Sequence, residues 1–319
     1  MPNKKYELTN DTKEFNGITC YRIIALRDIT TIRGIVTKGT IGGYVQSEKN
    51  LSQSGESWIA DNAMVVGNAT VLCSAFIYGK ACISDSACIT GSAIVRDNAC
   101  VSGDAYITDS VTVNESAHIT DSARIEGAVY IKQYAHVGGN ACIRHNARIF
   151  NSARIEGSAW VEGSAVIKGN ALIDGNARVC DSTIISCNTH ITDSAIIAGS
   201  AGIINSACIC GSVTIGGTAI ISGTAIIGGS ANISGEERIR GDMKIKDNTV
   251  ITISPFIFDY DYLTVFRDSS ESIKVSLITD EFEGTVDEFE KYIEELNYAP
   301  NYIEQYRAAI NFIKITIDG

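Results

Sequence analysis

From Ile59 to Ile251 every sixth residue is isoleucine or valine, an unbroken run of 33 positions. This period matches neither an amphipathic helix, with apolar positions three and four apart, nor an ordinary half-buried strand with its alternation of two. Two residues before most of these positions stands alanine, as at Ala63, Ala69, Ala75, Ala81 and Ala87. Two residues after, Gly, Asp or Asn usually follows, as at Gly67, Gly79, Asp85, Gly91 and Asp97. Each slot has its own physical reason. A β-branched residue suits a short strand with one inward side chain. The alanine shares that direction, because strand side chains alternate, and it must be small beside a tight corner. Gly, Asn and Asp tolerate the backbone angles of the corner itself. A fixed short period of this kind predicts a solenoid. Three hexads close one triangular coil, so the run amounts to 11 coils. At about 4.8 Å per coil they would stack to roughly 50 Å.

The hexads resemble those of the hexapeptide-repeat family, over about three-fifths of the chain and without an insertion. The resemblance implies a left-handed parallel β-helix. The expected fold is therefore an all-β solenoid of about 11 triangular coils over residues 57–253, with a small N-terminal β cap (1–56) and a C-terminal α+β appendage (254–319).

The ends differ from the repeat. Tyr21 to Ile29 (YRIIALRDI) predicts a strand, and an open parallel helix needs its end covered to avoid templating aggregation. The period breaks at Ser254-Pro255, after which Phe256–Tyr260, Leu263–Asp268 and Ile273–Ile278 predict strands. A capping box, Thr285 to Glu288, opens a helix presenting Val286, Phe289, Ile293 and Leu296. A second helix presents Tyr302, Tyr306, Ala309, Ile310 and Ile313. The stretch RIIALRDI…GTIGGYVQSEKNLSQSGESWI resembles the N-terminal signature of a bacterial and phage-associated hexapeptide-repeat family. Its members are often labelled polymer-forming protein or transferase, without an established activity. FEGTVDEFEKYI and YRAAINFIKITI resemble the tail of prophage-encoded members. Tyr44, where tryptophan is expected, and the extra residues around Thr30 to Thr37 depart from that pattern.

Charge bounds the partners. The net charge is −11, and residues 252–319 hold 14 acidic against 5 basic residues. Nucleic acid is a disfavoured partner for so acidic a chain, since binding it needs Lys and Arg to displace counterions. No apolar stretch is long enough to predict a membrane span. The N-terminal MPNKKYELTNDTKEF lacks the apolar core of a secretory signal. A cytoplasmic location is expected, the host cytoplasm if the chain is phage-encoded, with the 10 cysteines as free thiols.

Residues flanking each inward position point outward, and those three hexads apart stack in ladders on three faces. The Ile59 face carries Trp58, Phe76, Tyr78, Ile94, Tyr130, Phe150, Val166, Ile184, Ile204 and Ile220, interrupted by Arg96, Lys132, Arg148 and Lys168. So much aligned apolar surface predicts an oligomer or partner-binding face. The Val65 face carries Cys82, Cys100, His118 and His136 in successive coils. Side chains at that spacing suggest a metal ladder, but they run parallel rather than converging, and no carboxylate is expected beside the rings. The third face mixes Arg124, Glu126, Arg144, Trp160, Glu162 and Arg178, which predicts salt bridges on a solvated surface.

Many hexapeptide-repeat proteins are acyltransferases that bind a coenzyme A thioester between trimer subunits and use a histidine base. That resemblance points to His136 and His145 as catalytic candidates. Those enzymes usually carry a loop interrupting the prism, and residues 59–251 contain none. The favoured expectation is a non-catalytic scaffold without a cofactor. It would bind itself as a dimer or trimer and also another protein, a host protein if the chain is phage-encoded. Coenzyme A-dependent acyl transfer is the first alternative, and metal binding the second.

Overall fold

The computed structural model describes residues 4–240, 243–253, 263–268, 272–277, 282–296 and 298–317. The chain divides into two compact units, Met1–Cys180 and Asp181–Gly319. Two-residue strands recur from Trp58–Ile59 to Arg178–Val179 in the first, and from Ile184–Ile185 to Arg238–Ile239 in the second, giving a β-solenoid of about eleven turns. Neighbouring strands are parallel and one coil of three hexads apart, as in Cys82↔Cys100↔His118. The alanine and the β-branched residue of each hexad fill the interior, and Ala123, Ile125, Ala225 and Ile227 are all 0% exposed. Burial of every sixth side chain in the same slot is what makes the repeat so strict.

From Asp61 to Gly229 each corner places one residue in the left-handed region, for example Asp61 at φ 54° and Gly79 at φ 72°. Gly79 also meets a steric limit, since a Cβ there would lie 2.8 Å from the backbone nitrogen of Asp97 in the following coil.

In every turn an N–H donates to a carbonyl of the following coil, as Met64 N does to Ala81 O at 2.9 Å. The carbonyls of the first coil therefore need donors from elsewhere. The N-terminal segment supplies them. Strands β1 (Tyr6–Phe15) and β2 (Ile18–Ala25) form an antiparallel hairpin. Strands β3 (Ile29–Thr31) and β4 (Gly34–Val36) form a separate one. Strand β5 (Ile41–Val45) pairs with β2 on one side and with Met64–Val65 on the other. Tyr44 N donates to Ala63 O and Gln46 N to Val65 O. Side chains complete the seal. Asn50 Nδ2 donates to Gly67 O and Ala69 O, an Arg22 guanidinium nitrogen to Asp61 O, and the buried Lys5 Nζ to Ser57 O at 2.9 Å.

In the second unit the repeat ends differently from expectation. Lys244–Ile253 is one ten-residue strand, so no corner separates Ile245 from Ile251. Its start continues the solenoid ladder beside Ile226–Ile227. Its remainder pairs antiparallel with Leu263–Asp268, which occupies the place of a next coil and keeps the backbone extended. Ile273–Leu277 and Phe282–Thr285 extend this sheet antiparallel. Helices α1 (Val286–Glu295) and α2 (Pro300–Ile317) follow. Leu263, Val265, Val275 and Leu277 pack with Phe289 and Ile293 of α1 and with Tyr306, Ile310 and Ile313 of α2. The Thr285–Glu288 capping box is formed. The expected strand Phe256–Tyr260 and the end residue Ile278 lie outside the described residues. Among the described residues no helix is long and apolar enough to cross a membrane.

Candidate functional site: the outward faces of the solenoid

On the Val65 face of the first unit, Cys82, Cys100, His118 and His136 are consecutive rungs, as expected. The expectation that no carboxylate lies beside the imidazoles is corrected. Glu156 Oε1 is 3.8 Å from His136 Nε2, and Asp121 acts on the same ring. Glu156, directly after the inward Ile155 and one coil further on, pairs with Arg154 and so reaches back across the rung. Burial lowers the pKa of His136, and Arg154 and His118 act in the same sense against Glu156 and Asp121. Burial, with Cys100 and Cys20 nearby, pushes the Cys82 thiol up to about 11, so at neutral pH it is a poor thiolate donor. Among the described residues no three His, Cys, Asp or Glu side chains converge as ligands of a metal.

His145 is on a different element, an exposed corner at φ 59°. Its Nδ1 accepts from Gly163 N at 3.3 Å, which places the ring proton on Nε2. The two histidines named for acyl transfer thus have separate surroundings. His136 sits on a strand among His118, Arg154 and Glu156, while His145 serves as a corner acceptor.

The third face holds a chain of paired charges. Glu126 takes Arg124 at 3.2 Å and Arg144 at 2.6 Å. Arg144 and Arg178 lie over the Trp160 ring at 4.7 and 5.6 Å, and Arg178 reaches Glu162 at 3.7 Å. Each of these cations therefore has a carboxylate partner, Arg124 and Arg144 sharing Glu126.

The Ile59 face of the first unit is different. Its outward strand positions from Trp58 to Lys168 include no Asp or Glu. Arg96 reaches the corner carboxylate Asp97 at 2.9 Å. Lys132, Arg148 and Lys168 have no carboxylate within 4.0 Å among the described residues. Lys132 Nζ lies 4.9 Å from the Phe150 ring centre, and Tyr130 pairs in register with Arg148.

The face is also narrower than the sequence suggests. Trp58 is 1% and Phe76 8% exposed. Gly42 of β5 lies directly against the Trp58 ring, and Arg33, between β3 and β4, covers Tyr78 at 5.1 Å. The surface left to a partner runs from Ile94 to Lys168, with Tyr130, Phe150 and Val166 half-buried within it. Ile184 (47% exposed), Ile204 and Ile220 belong to the second unit, where Gly202 separates the Ile184 and Ile220 rungs. What sequence reading missed was the contrast between balanced and unbalanced faces. Counting carboxylates on each outward ladder would have revealed it.

Residues 107–201 match the family described as the GMPPB C-terminal domain, a β-helix related to the sugar nucleotidyltransferases. The match supports a left-handed β-helix of the hexapeptide type for this stretch. No curated protein matches the chain.

Proposed function

We propose that the chain is a non-catalytic, cofactor-free binding scaffold that assembles with copies of itself through the Ile59 face of the first unit. The observation that carries this reading is the asymmetry of charge. Arg124, Arg144, Arg154 and Arg178 on the other faces each have a glutamate, while Lys132, Arg148 and Lys168 stand beside Tyr130 and Phe150 without one. Aromatic side chains and Arg are enriched at binding hot spots, and cations without a carboxylate of their own favour an oppositely charged partner surface. The likeness of residues 107–201 to the GMPPB C-terminal domain supports a β-helical body for such a scaffold. The flanks that resemble prophage-encoded chains support a bacterial host cytoplasm as the place of action, with a host protein as a further partner.

The test is native mass spectrometry of the full chain beside Arg148→Glu/Lys168→Glu. Both positions are exposed, so the fold is retained. The parent chain is expected as a dimer or larger and the variant as a monomer. An unchanged mass distribution would overturn the reading. Acetyl-coenzyme A binding by calorimetry, lost in His136→Ala, would replace it with acyl transfer.

A further inference from the structure

The unbalanced cations need an anionic counterpart, and the chain carries one in its own C-terminal segment. On α1, Asp287, Lys291 and Glu294 are exposed and line one groove, which Glu290 of α1 and Arg307 of α2 also line. Positions four and seven residues apart share a helix face. Asp287 and Glu294 are separated by about 10.5 Å along the axis, with Lys291 between them. On the Ile59 face, Lys132, Phe150 and Lys168 follow one another in successive coils, fixed by the registers Tyr130↔Arg148 and Arg148↔Val166. Two coil spacings put Lys132 and Lys168 about 9.6 Å apart, with Phe150 between them.

We infer that the α1 ridge of a second copy is the occupant of the Ile59 face, resting on the proposed assembly through that face. In this contact each end carboxylate meets a lysine, and Lys291 lies over the Phe150 ring. A cation against an aromatic face is favourable at this range, and opposite charges in matching register favour the correct encounter. Glu290, on the same helix, is already held by Lys314 at 2.8 Å and takes no part. The two patches are different surfaces, so the contact is heterologous. Each copy offers one of each, and assembly runs head to tail into a ring or an open chain.

The test uses two full-length variants that neutralise one patch each, Lys132→Gln/Lys168→Gln and Asp287→Asn/Glu294→Gln. Each alone is expected to be monomeric by sedimentation. Mixed in equal amounts, they should form a complex of twice the monomer mass and no larger. The intact α1 of the first variant docks on the intact face of the second, and growth then stops. If the parent chain is itself monomeric at all concentrations, the scaffold reading fails. If the parent assembles and the α1 variant assembles equally well, only the α1 contact is overturned. Two monomeric variants that do not combine on mixing also overturn it.

Discussion

Asp61 accepts a 3.0 Å hydrogen bond from the backbone N–H of Gly79, which holds the same corner one coil later. The relationship recurs as Asp85 to Gly103, Asp109 to Gly127, Asp121 to Gly139, Asp181 to Gly199 and Asp193 to Gly211. Gln133 and His145 occupy the same slot and accept from Asn151 and Gly163. The corner residue thus has two tasks. It tolerates the left-handed backbone, and its side chain satisfies a donor of the next coil that no strand can reach. A row of charge-assisted bonds ties successive coils together along their edges.

Asp121 tests the charge in that bond. The Gly139 N–H, and secondarily the Thr120 hydroxyl, hold its carboxyl below the ordinary value. A depressed pKa contributes stability that is present at neutral pH and lost as pH falls through the folded value. Asp121→Asn keeps an acceptor and tolerates the left-handed corner but loses the charge. On an exposed corner it should cost roughly 0.5–1 kcal/mol at pH 7. The difference in urea midpoint between the two proteins should close towards pH 3. A difference that stayed constant with pH would show that charge is not what the slot requires.

Gly42 tests the seal at the N-terminal end. A Cβ there would stand 2.6 Å from Ile23 Cγ1, 2.6 Å from Ile59 O and 2.7 Å from the Trp58 ring. None of these atoms is the free end of a flexible chain. Gly42→Ala should destabilise the cap by about 1–3 kcal/mol, as overpacking does. Trp58 emission should shift to the red as the buried ring meets water. Displacing the cap also bares the first coil, so the variant should aggregate on mild heating. Unchanged fluorescence with an unchanged melting point would contradict the packing described.

Lys5 and Tyr6 give the cap a distinctive alkaline profile. Burial, and secondarily Arg27, lower the Lys5 pKa to about 8. Folded protein therefore releases this proton while the unfolded chain holds it until about 10.5. Between those values the unfolded state binds more protons, so stability rises with pH. The rise has an upper limit of about 3 kcal/mol at 1.36 kcal/mol per unit. Tyr6 works in the opposite direction. Burial, and secondarily Glu48, raise its pKa, so its contribution is lost above the unfolded value near 10. Stability of the cap should climb from about pH 8 and turn over near pH 10. Lys5→Met should remove the climb in urea titrations between about pH 7.5 and 9.5 and keep the turnover in a further series above about pH 10; a profile identical to the parent's would refute the assignment to Lys5.

The solenoid was legible because two side chains in every six, a small one and a β-branched one, must point inward, and the β-branched slot is filled without a break from Ile59 to Ile245. The seal was not legible in the same way. Nothing in the polar run around Lys5 marks it as the residue whose ammonium reaches Ser57 O, since that contact depends on where β1 lands. Glu156 beside His136 was hidden because it needs a coil register together with a side-chain rotamer. The cations of the Ile59 face were visible in the sequence. Their lack of partners was legible only in part: the outward ladder shows no Asp or Glu, but a corner carboxylate can still reach in, as Asp97 does to Arg96.

His145 is the irregular member of the corner series, and the series says how to improve it. Its neighbours in kind, Asp109 and Asp121, reach a glycine N–H at 2.9 Å, whereas the imidazole reaches Gly163 N only at 3.3 Å. Aspartate is also at greater ease than histidine in the left-handed region, because its short side chain bonds locally. His145→Asp should therefore raise the thermal midpoint, by an amount equivalent to roughly 0.5 kcal/mol at pH 7. Below about pH 4 the gain should vanish as the new carboxylate protonates. The variant should keep the parent's assembly state, since this corner lies outside the Ile59 ladder. A lower midpoint would mean that the imidazole makes a contact worth more than the corner bond, and would return attention to His145 as a functional group.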